Sequence, residues 1–331
     1  MQRRTRSSYH KNMTIGSYAR VAPLSEEQLL AIARDLDTKP NRACDAAPEV
    51  LCDATNYATL YRRARTCSYR SVSGDHAIWK YSNDVTKTMF LLKTCVSIKK
   101  SDPSTYCENL EMLIPHRWLR ARNEDTVARV TSSDETLQWT AHCMNAAMCD
   151  VGTLVRSSSQ NSKTVTQIIK VSARAVMQLL DHDMLQDDFK WENCALYMNA
   201  RKRYTFCFID ITSANRLNNK TAFGKRTHVR PCNWRAPDES VDTKRARDFA
   251  WHYAIALLQL CDTTQYDIVT RLFANIKQMD GCLNVTQLNK LIKNLNIPRR
   301  NVLVHKHAAH FFEVAKTGGH YALKEMLKRM V

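Results

Sequence analysis

The stretch DDFKWENCAL, residues 187–196, places an acid, a lysine and an asparagine at positions 188, 190 and 193, just before a strand-like apolar run. A carboxylate, an ammonium group and an amide therefore fall within one short turn of chain. Taken alone, this pattern fits a solvated loop as well as a reaction centre. Its meaning depends on the elements that precede and follow it.

The bulk composition indicates a globular protein. The chain has 331 residues, of which 44% are hydrophobic, enough for one large domain or two modest ones. It contains no apolar run of about 18 residues, and its N-terminus lacks the apolar core of a signal peptide. We therefore expect no membrane partner and a location in the cytoplasm or the nucleus. The 12 cysteines form no CxxC pair, so we predict reduced thiols.

The formal charge of +17 arises from 49 basic against 32 acidic residues. A charge of this size favours anionic partners, such as nucleotides, phosphoproteins, acidic proteins or nucleic acid. The basic residues come in many short clusters rather than on one basic helix, so nucleic acid is not the favoured partner. A basic surface that keeps the protein soluble is the simpler interpretation.

Residues 1–65 are predicted to form a basic N-terminal extension with one helix. That helix begins at Ser25, which with Gln28 makes the pattern of a capping box. Residues 66–148 then form a β-rich half, because short runs of β-branched and aromatic residues alternate with turn signals. The predicted strands cover residues 67–74, 76–82, 86–98, 126–131 and 136–143, and residues 103–114 have a helical period.

Residues 149–331 are predicted to form a mainly helical half. Apolar residues at spacings of three and four predict a long amphipathic helix over 164–182, which ends at the stretch quoted above. A strand pair follows at 194–198 and 204–210, and from about residue 240 onward all periodic segments are helical. The predicted fold class is therefore α+β, with a β-rich half followed by a helical half.

This order of elements, with Asp-x-Lys-x-x-Asn after a long helix, resembles the eukaryotic-type protein kinase superfamily. The catalytic loop H-R-D-L-x-x-x-N of that family is matched by QDDFKWEN. The resemblance implies a bilobal fold, with an N-lobe over 66–148 and a C-lobe over 149–331. It also implies an ATP-dependent Ser/Thr protein kinase in which Asp188 is the catalytic base and Lys190 neutralises charge on the transferred phosphoryl group.

Further motifs occur in kinase order. The strand end FCFID delivers Asp210 where the D-F-G aspartate stands, although the triplet here is Asp-Ile-Thr. The resemblance implies that Asn193 and Asp210 bind Mg²⁺ and that Lys93, at the end of MFLLK, contacts the phosphates of ATP. Glu108 is the first choice as the ion-pair partner of Lys93, and Glu111 is the alternative. Of the Gly-rich loop over the phosphates, only Gly74 survives.

Two matches lie beyond these motifs. WRAPDE at 234–239 looks like the A-P-E motif with Asp238 in place of its glutamate, and Asp248 matches the aspartate that in kinases holds the catalytic loop by its backbone. The H-R-D histidine and arginine are replaced by Gln186 and Asp187. Since that arginine normally receives a phosphorylated activation segment, we expect activity that does not depend on such phosphorylation.

Two other functional classes stay open from the sequence. One is a catalytically weak pseudokinase scaffold, and the other is a nucleic-acid-binding protein on a kinase-like fold. A narrower resemblance, to kinases of large DNA viruses such as herpesviruses, baculoviruses and nudiviruses, would imply basic virion or nucleoprotein substrates inside the host cell. The charge of +17 favours acidic protein substrates instead.

Overall fold

The computed structural model describes part of the chain, and within it the fold is α+β and divides into two compact units. Elements up to residue 145 belong to the first unit, and elements from residue 149 onward belong to the second. The described residues are 25–39, 59–66, 75–83, 88–98, 125–145, 149–157, 162–198, 204–208, 214–218, 230, 234–261, 266, 269–270, 290 and 302–331.

The first unit is built on a five-stranded antiparallel sheet, with strand order β1-β2-β3-β5-β4. Val96 and Trp139 face each other on the two neighbouring strands β3 and β5, and both are buried. The strands are β1 (Thr59–Thr66), β2 (Asp75–Asn83), β3 (Thr88–Ile98), β4 (Asp125–Thr131) and β5 (Leu137–Asn145).

The sheet begins earlier in the chain than the sequence indicates. Strand β1 lies within the predicted N-terminal extension, yet it pairs with β2 over almost its whole length. Its sequence, TLYRRART, contains three arginines that hide the strand signal. The strand predicted at 67–74 and the helix predicted at 103–114 lie outside the described residues, whereas the four other predicted strands of this half are confirmed.

Helix α1 (Glu26–Thr38) packs on β4 and β5. The predicted capping box is confirmed, because the Gln28 amide donates to Ser25 Oγ at 3.3 Å and the Ser25 amide donates to Gln28 Oε1 at 2.8 Å. The helix buries Ile32 and Leu36. Its last turn is fixed to the β4–β5 turn, where the Ser133 amide donates to Asp37 Oδ1 at 2.8 Å.

The second unit starts with strand β6 (Cys149–Asp150), helix α2 (Val151–Ser157) and helix α3 (Ser162–Asp181). The predicted amphipathic helix is confirmed in α3, whose apolar stripe, including Ile168, Val176 and Leu179, is buried. Three further strands follow closely in the chain: β7 (Met184–Gln186), β8 (Cys194–Met198) and β9 (Tyr204–Phe208). Strands β6, β8 and β9 form one sheet, and β7 pairs with β10 (Ala214–Arg216).

Helix α4 (Val241–Cys261) is the centre of the second unit. Its residues 248–260 are buried all round, as expected for a helix surrounded by other elements. Helix α5 (Val302–Thr317) packs along it, and helix α6 (His320–Lys328) packs against α3, α4 and α5. The described part of the chain contains no helix with the length and apolar character needed to cross a membrane.

Candidate active site

The three polar residues of the quoted stretch converge on one carboxylate. Lys190 Nζ lies 2.8 Å from Asp188 Oδ2, and the Asn193 amide nitrogen Nδ2 lies 3.2 Å from the same oxygen. The Asn193 Nδ2 also donates to the backbone oxygen of Asp188 at 2.9 Å. The predicted grouping of Asp188, Lys190 and Asn193 is therefore present as a set of direct contacts.

The side-chain amide of Asn193 has one orientation that satisfies its neighbours. Both groups that it contacts, the carboxylate and the carbonyl of Asp188, accept hydrogen bonds, so the NH₂ group must face them. Its Oδ1 then points away from Asp188 and accepts no hydrogen bond from the described residues. An amide oxygen in this position is a suitable ligand for a hard cation such as Mg²⁺.

The loop alternates between buried apolar anchors and accessible polar groups. The side chains of Asp188 and Lys190 are 14% and 31% exposed. Phe189, between these two residues in the sequence, and Trp191, directly after Lys190, are both fully buried. Trp191 Nε1 donates to the backbone oxygen of Ala256 in α4 at 2.6 Å, and the Phe189 ring packs 5.1 Å from the ring of Tyr253. These anchors hold the loop on α4, while the side chains of Asp188 and Lys190 remain partly exposed.

Asp187, which stands where the kinase family has an arginine, is itself paired with one. Arg245 Nε in α4 lies 2.9 Å from Asp187 Oδ1, and both side chains are buried. The same guanidinium donates from Nη1 to the backbone oxygens of Arg216 and Leu217. A single side chain thus connects α4, the loop that carries Asp188 and the end of β10.

A second buried charge network lies beside α4. Arg230 donates from Nε to Asp248 at 2.9 Å and from Nη2 to Glu239, and Glu239 also accepts from Arg247 at 2.7 Å. Burial lowers the pKa of Arg230, and Glu239 offsets this effect. Asp238, which the resemblance matches to the glutamate of the A-P-E motif, is exposed, whereas the neighbouring Glu239 is the buried partner of the arginines.

Asp248 was predicted from the resemblance to hold the catalytic loop by its backbone. The structure places its buried carboxylate in the ion pair with Arg230. The contact of Asp248 with the loop stays a prediction.

A polar cluster that no sequence pattern predicts is formed by Glu192, Arg156 and Tyr266. Glu192 Oε1 accepts from Arg156 Nη1 at 2.8 Å and from the hydroxyl of Tyr266 at 2.6 Å. The Arg156 guanidinium lies 5.0 Å from the centre of the Tyr266 ring, within the range of a cation–π contact. Because these residues are far apart in sequence and belong to no motif, only the spacing of Glu192 within the quoted stretch could have drawn attention to them.

The remaining predicted site residues lie in the first unit or outside the described residues. Lys93 lies in the first unit, in the middle of β3, where its backbone is paired with Ile78 and His142. Gly74, Glu108, Glu111 and Asp210 lie outside the described residues. Where side chains are described, no three His, Cys, Asp or Glu residues form a group that could hold a metal ion.

A comparison with protein-family models finds no match to this chain, and a comparison with curated proteins finds no significant match.

Proposed function

We propose that the chain is an ATP-dependent Ser/Thr protein kinase with a bilobal kinase fold and with Asp188 as its catalytic base. The observation that carries the proposal is the convergence of Lys190 and Asn193 on the carboxylate of Asp188. Phosphoryl transfer needs a group that orients the attacking hydroxyl, a cation beside the transferred phosphoryl group and oxygen ligands for Mg²⁺. The loop supplies each of these group types within six residues, 188–193.

Asp188 would accept a hydrogen bond from a serine or threonine hydroxyl of the substrate and take its proton as transfer proceeds. In the present structure Lys190 and Asn193 fix the direction of this carboxylate from two sides. Lys190, whose side chain is 31% exposed, would contact a phosphoryl oxygen beside the attacking hydroxyl through its ammonium group. A lysine two residues after the base is also the pattern of Ser/Thr-directed kinases.

The donor set fits Mg²⁺–ATP. Asn193 Oδ1 is an amide oxygen that is directed away from Asp188, and Asp210 is the proposed second ligand. Lys93 would contact the α- and β-phosphates, with Glu108 or Glu111 as its partner and Gly74 in the loop over them. When bound, Mg²⁺ would neutralise negative charge on the β- and γ-phosphates. Asn193 would therefore serve both the metal and, through its NH₂ group, the base.

The decisive experiment compares transfer of label from γ-labelled ATP by the wild type and by Asp188→Asn. Acidic and basic protein substrates are both offered, because the charge of +17 favours acidic substrates whereas the viral kinases that the chain resembles suggest nucleoproteins. Removing the base is expected to lower transfer by about 10²- to 10⁴-fold. The matched control is Asp238→Asn, which removes an exposed carboxylate in the same unit and should leave transfer unchanged.

Two results would overturn the proposal in different ways. Weak nucleotide binding with no Mg²⁺-dependent transfer by the wild type would indicate a pseudokinase scaffold. Steeply salt-dependent binding to DNA or RNA that survives Asp188→Asn, again without transfer, would indicate a nucleic-acid-binding protein.

A further inference from the structure

The loop that carries Asp188 is attached to the rest of its unit through the preceding residue. Asp187 is buried, with 5% of its side chain exposed, and its Oδ1 accepts from Arg245 Nε at 2.9 Å. The Arg245 side chain is fully buried. A charged pair in such a position is held out of water, so each partner contributes to neutralising the other.

The guanidinium of Arg245 also makes hydrogen bonds beyond this ion pair. Its Nη1 donates to the backbone oxygens of Arg216 and Leu217, where β10 ends. Strand β10 is in turn paired with β7, in register from Ala214 opposite Gln186 to Arg216 opposite Met184. The loop thus begins directly after β7, which is paired with β10, and its first residue Asp187 is in contact with Arg245.

A buried ion pair is weak evidence for stability, since well-packed apolar residues often stabilise as much or more. An arginine does, however, orient its partners, because its planar guanidinium holds several hydrogen-bond acceptors in one fixed geometry. Here those acceptors include the carboxylate of the residue directly before the proposed base. Because Asp188 directly follows Asp187, the position of the Asp187 backbone determines the position of the Asp188 side chain.

We propose that Arg245 is a positioning residue that holds the Asp187–Asp188 backbone, so that the loop is set without a phosphate group added elsewhere in the chain. This inference rests on the proposed function. An added phosphate approaching the loop at this point would meet the negative charge of Asp187, and Arg245 is already engaged and buried. The cation that orders the loop therefore comes from α4 itself, and its counter-charge is a side chain of the loop.

The first test is a cycle of Asp187→Asn, Arg245→Gln and the double variant, with transfer kinetics, global unfolding and hydrogen exchange of the amides of residues 185–193 as readouts. Each single variant leaves one buried charge without its partner. We expect kcat to fall by about 10- to 100-fold while the KM for ATP changes by less than about twofold. The reason is that a displaced Asp188 impairs the transfer step and not the binding of ATP. Loop amides should exchange at least tenfold faster.

The double variant separates positioning from stability. Replacing both charges by amides removes the buried unpaired charge, so the unfolding midpoint should recover toward that of the wild type. The kcat should stay low, because two neutral amides do not reproduce the charge-assisted fork. Recovery of kcat in step with the unfolding midpoint would overturn the inference and assign Arg245 a structural role only.

Two further variants sharpen the result. Arg247→Gln removes a cation two residues along α4 that pairs with Glu239, and it should lower the unfolding midpoint while kcat, measured well below that midpoint, stays within twofold. Arg245→Lys keeps the charge but loses the fork, so it should rescue part of the kcat that Arg245→Gln loses. An equal loss of kcat in Arg247→Gln and Arg245→Gln would contradict the positioning role.

The second test addresses phosphorylation directly. Wild-type protein is treated with a phosphatase, intact mass is used to verify that no phosphate remains, and initial rates are measured. We expect kcat within twofold of the untreated enzyme, whereas a loss of tenfold or more would overturn the inference. If the wild type transfers no phosphoryl group at all, the proposed function fails, and the hydrogen-exchange result still decides whether Arg245 orders the loop.

Discussion

The hydroxyl of Tyr266 lies 2.6 Å from Oε1 of Glu192, a residue of the turn that also carries Asn193. Burial, together with the charge of Glu192, raises the pKa of Tyr266 far above its usual range, so the phenol stays protonated and donates. We expect Tyr266→Phe to lower the free energy of unfolding by about 1.5–3 kcal/mol, the net value of a hydrogen bond to a charged group. Denaturant unfolding of the two proteins measures this difference in free energy. Tyr321→Phe, at an exposed position, should show no change, and equal losses in both variants would contradict the role of this contact.

Arg156 shares the carboxylate of Glu192, but about a third or more of each side chain is exposed. Solvent therefore screens the ion pair, and Arg156→Met should cost only about 0.2–1 kcal/mol of unfolding free energy. In a double-mutant cycle with Tyr266→Phe the two losses should not add, because both residues contact the same oxygen atom of Glu192. Strict additivity within the error of the measurement would show that the cluster is three separate contacts.

The buried network around Arg230 should contribute much more. Arg230→Met leaves the carboxylates of Asp248 and Glu239 buried without this cation, which typically costs about 3–5 kcal/mol of unfolding free energy. The loss should change little between low and high salt, because a buried pair is poorly screened. The control Lys316→Met removes an exposed cation from α5 and should cost less than about 0.5 kcal/mol.

The local part of the site was predictable from the sequence, because the contacts that build it span few residues. Asp188, Lys190 and Asn193 lie within six positions, and a short turn between strands β7 and β8 leaves few ways to arrange them. The same holds for the capping box of α1 and for the amphipathic period of α3. In each case one local pattern decides both the element and the contact.

The other contacts of the site were not predictable, because they join residues that are far apart in the sequence and share no local pattern. Asp187 and Arg245 are 58 residues apart, and the sequence shows one acid in a polar loop and one arginine in a basic cluster. The burial of Glu239 likewise depends on its contact with Arg230, nine residues away, which no local pattern indicates. Strand β1 was missed because its arginines obscure the alternation on which strand prediction depends.

The turn between β4 and β5 should show a distinct pH dependence. Hydrogen bonds to Asp134, first from Ser132 Oγ and then from the amide and hydroxyl of Thr136, lower its pKa from 3.8 to about 2. A carboxylate with a depressed pKa adds stability that is present above its ordinary pKa and is lost as the pH falls toward the lowered value. The difference in unfolding free energy between the wild type and Asp134→Asn should therefore be constant above about pH 5 and shrink below pH 4.

An NMR titration of the Thr136 amide measures the same equilibrium directly, because this amide donates to Asp134 Oδ1 at 3.0 Å. Ser132→Ala removes the largest cause of the shift, so the titration midpoint should move up toward 3.8. Thr136→Val removes only a hydroxyl and should move the midpoint less. A midpoint that is the same in all three proteins would contradict the assignment of these hydrogen bonds as the cause.

The two proposed roles of Asn193 can be separated by two substitutions. Asn193→Ala removes both the oxygen ligand and the NH₂ group that contacts Asp188, so transfer should fall by about 10²- to 10³-fold. The Mg²⁺ concentration that gives half the maximal rate should rise as well. Asn193→Asp keeps an oxygen ligand but places a second carboxylate against Asp188 Oδ2, where the NH₂ group now donates. Its half-maximal Mg²⁺ concentration should stay close to that of the wild type, while the rate at saturating Mg²⁺ stays low.

Initial rates over a Mg²⁺ titration, with nucleotide binding followed by fluorescence in parallel, measure both effects. Gln167→Ala removes an exposed side-chain amide from α3 and serves as the control, with no change expected in either quantity. If Asn193→Asp reached the wild-type rate at saturating Mg²⁺, the NH₂ contact with Asp188 would have no part in catalysis. If Asn193→Ala left the Mg²⁺ dependence unchanged, the amide oxygen would not be a metal ligand, and the cation would be held by other groups.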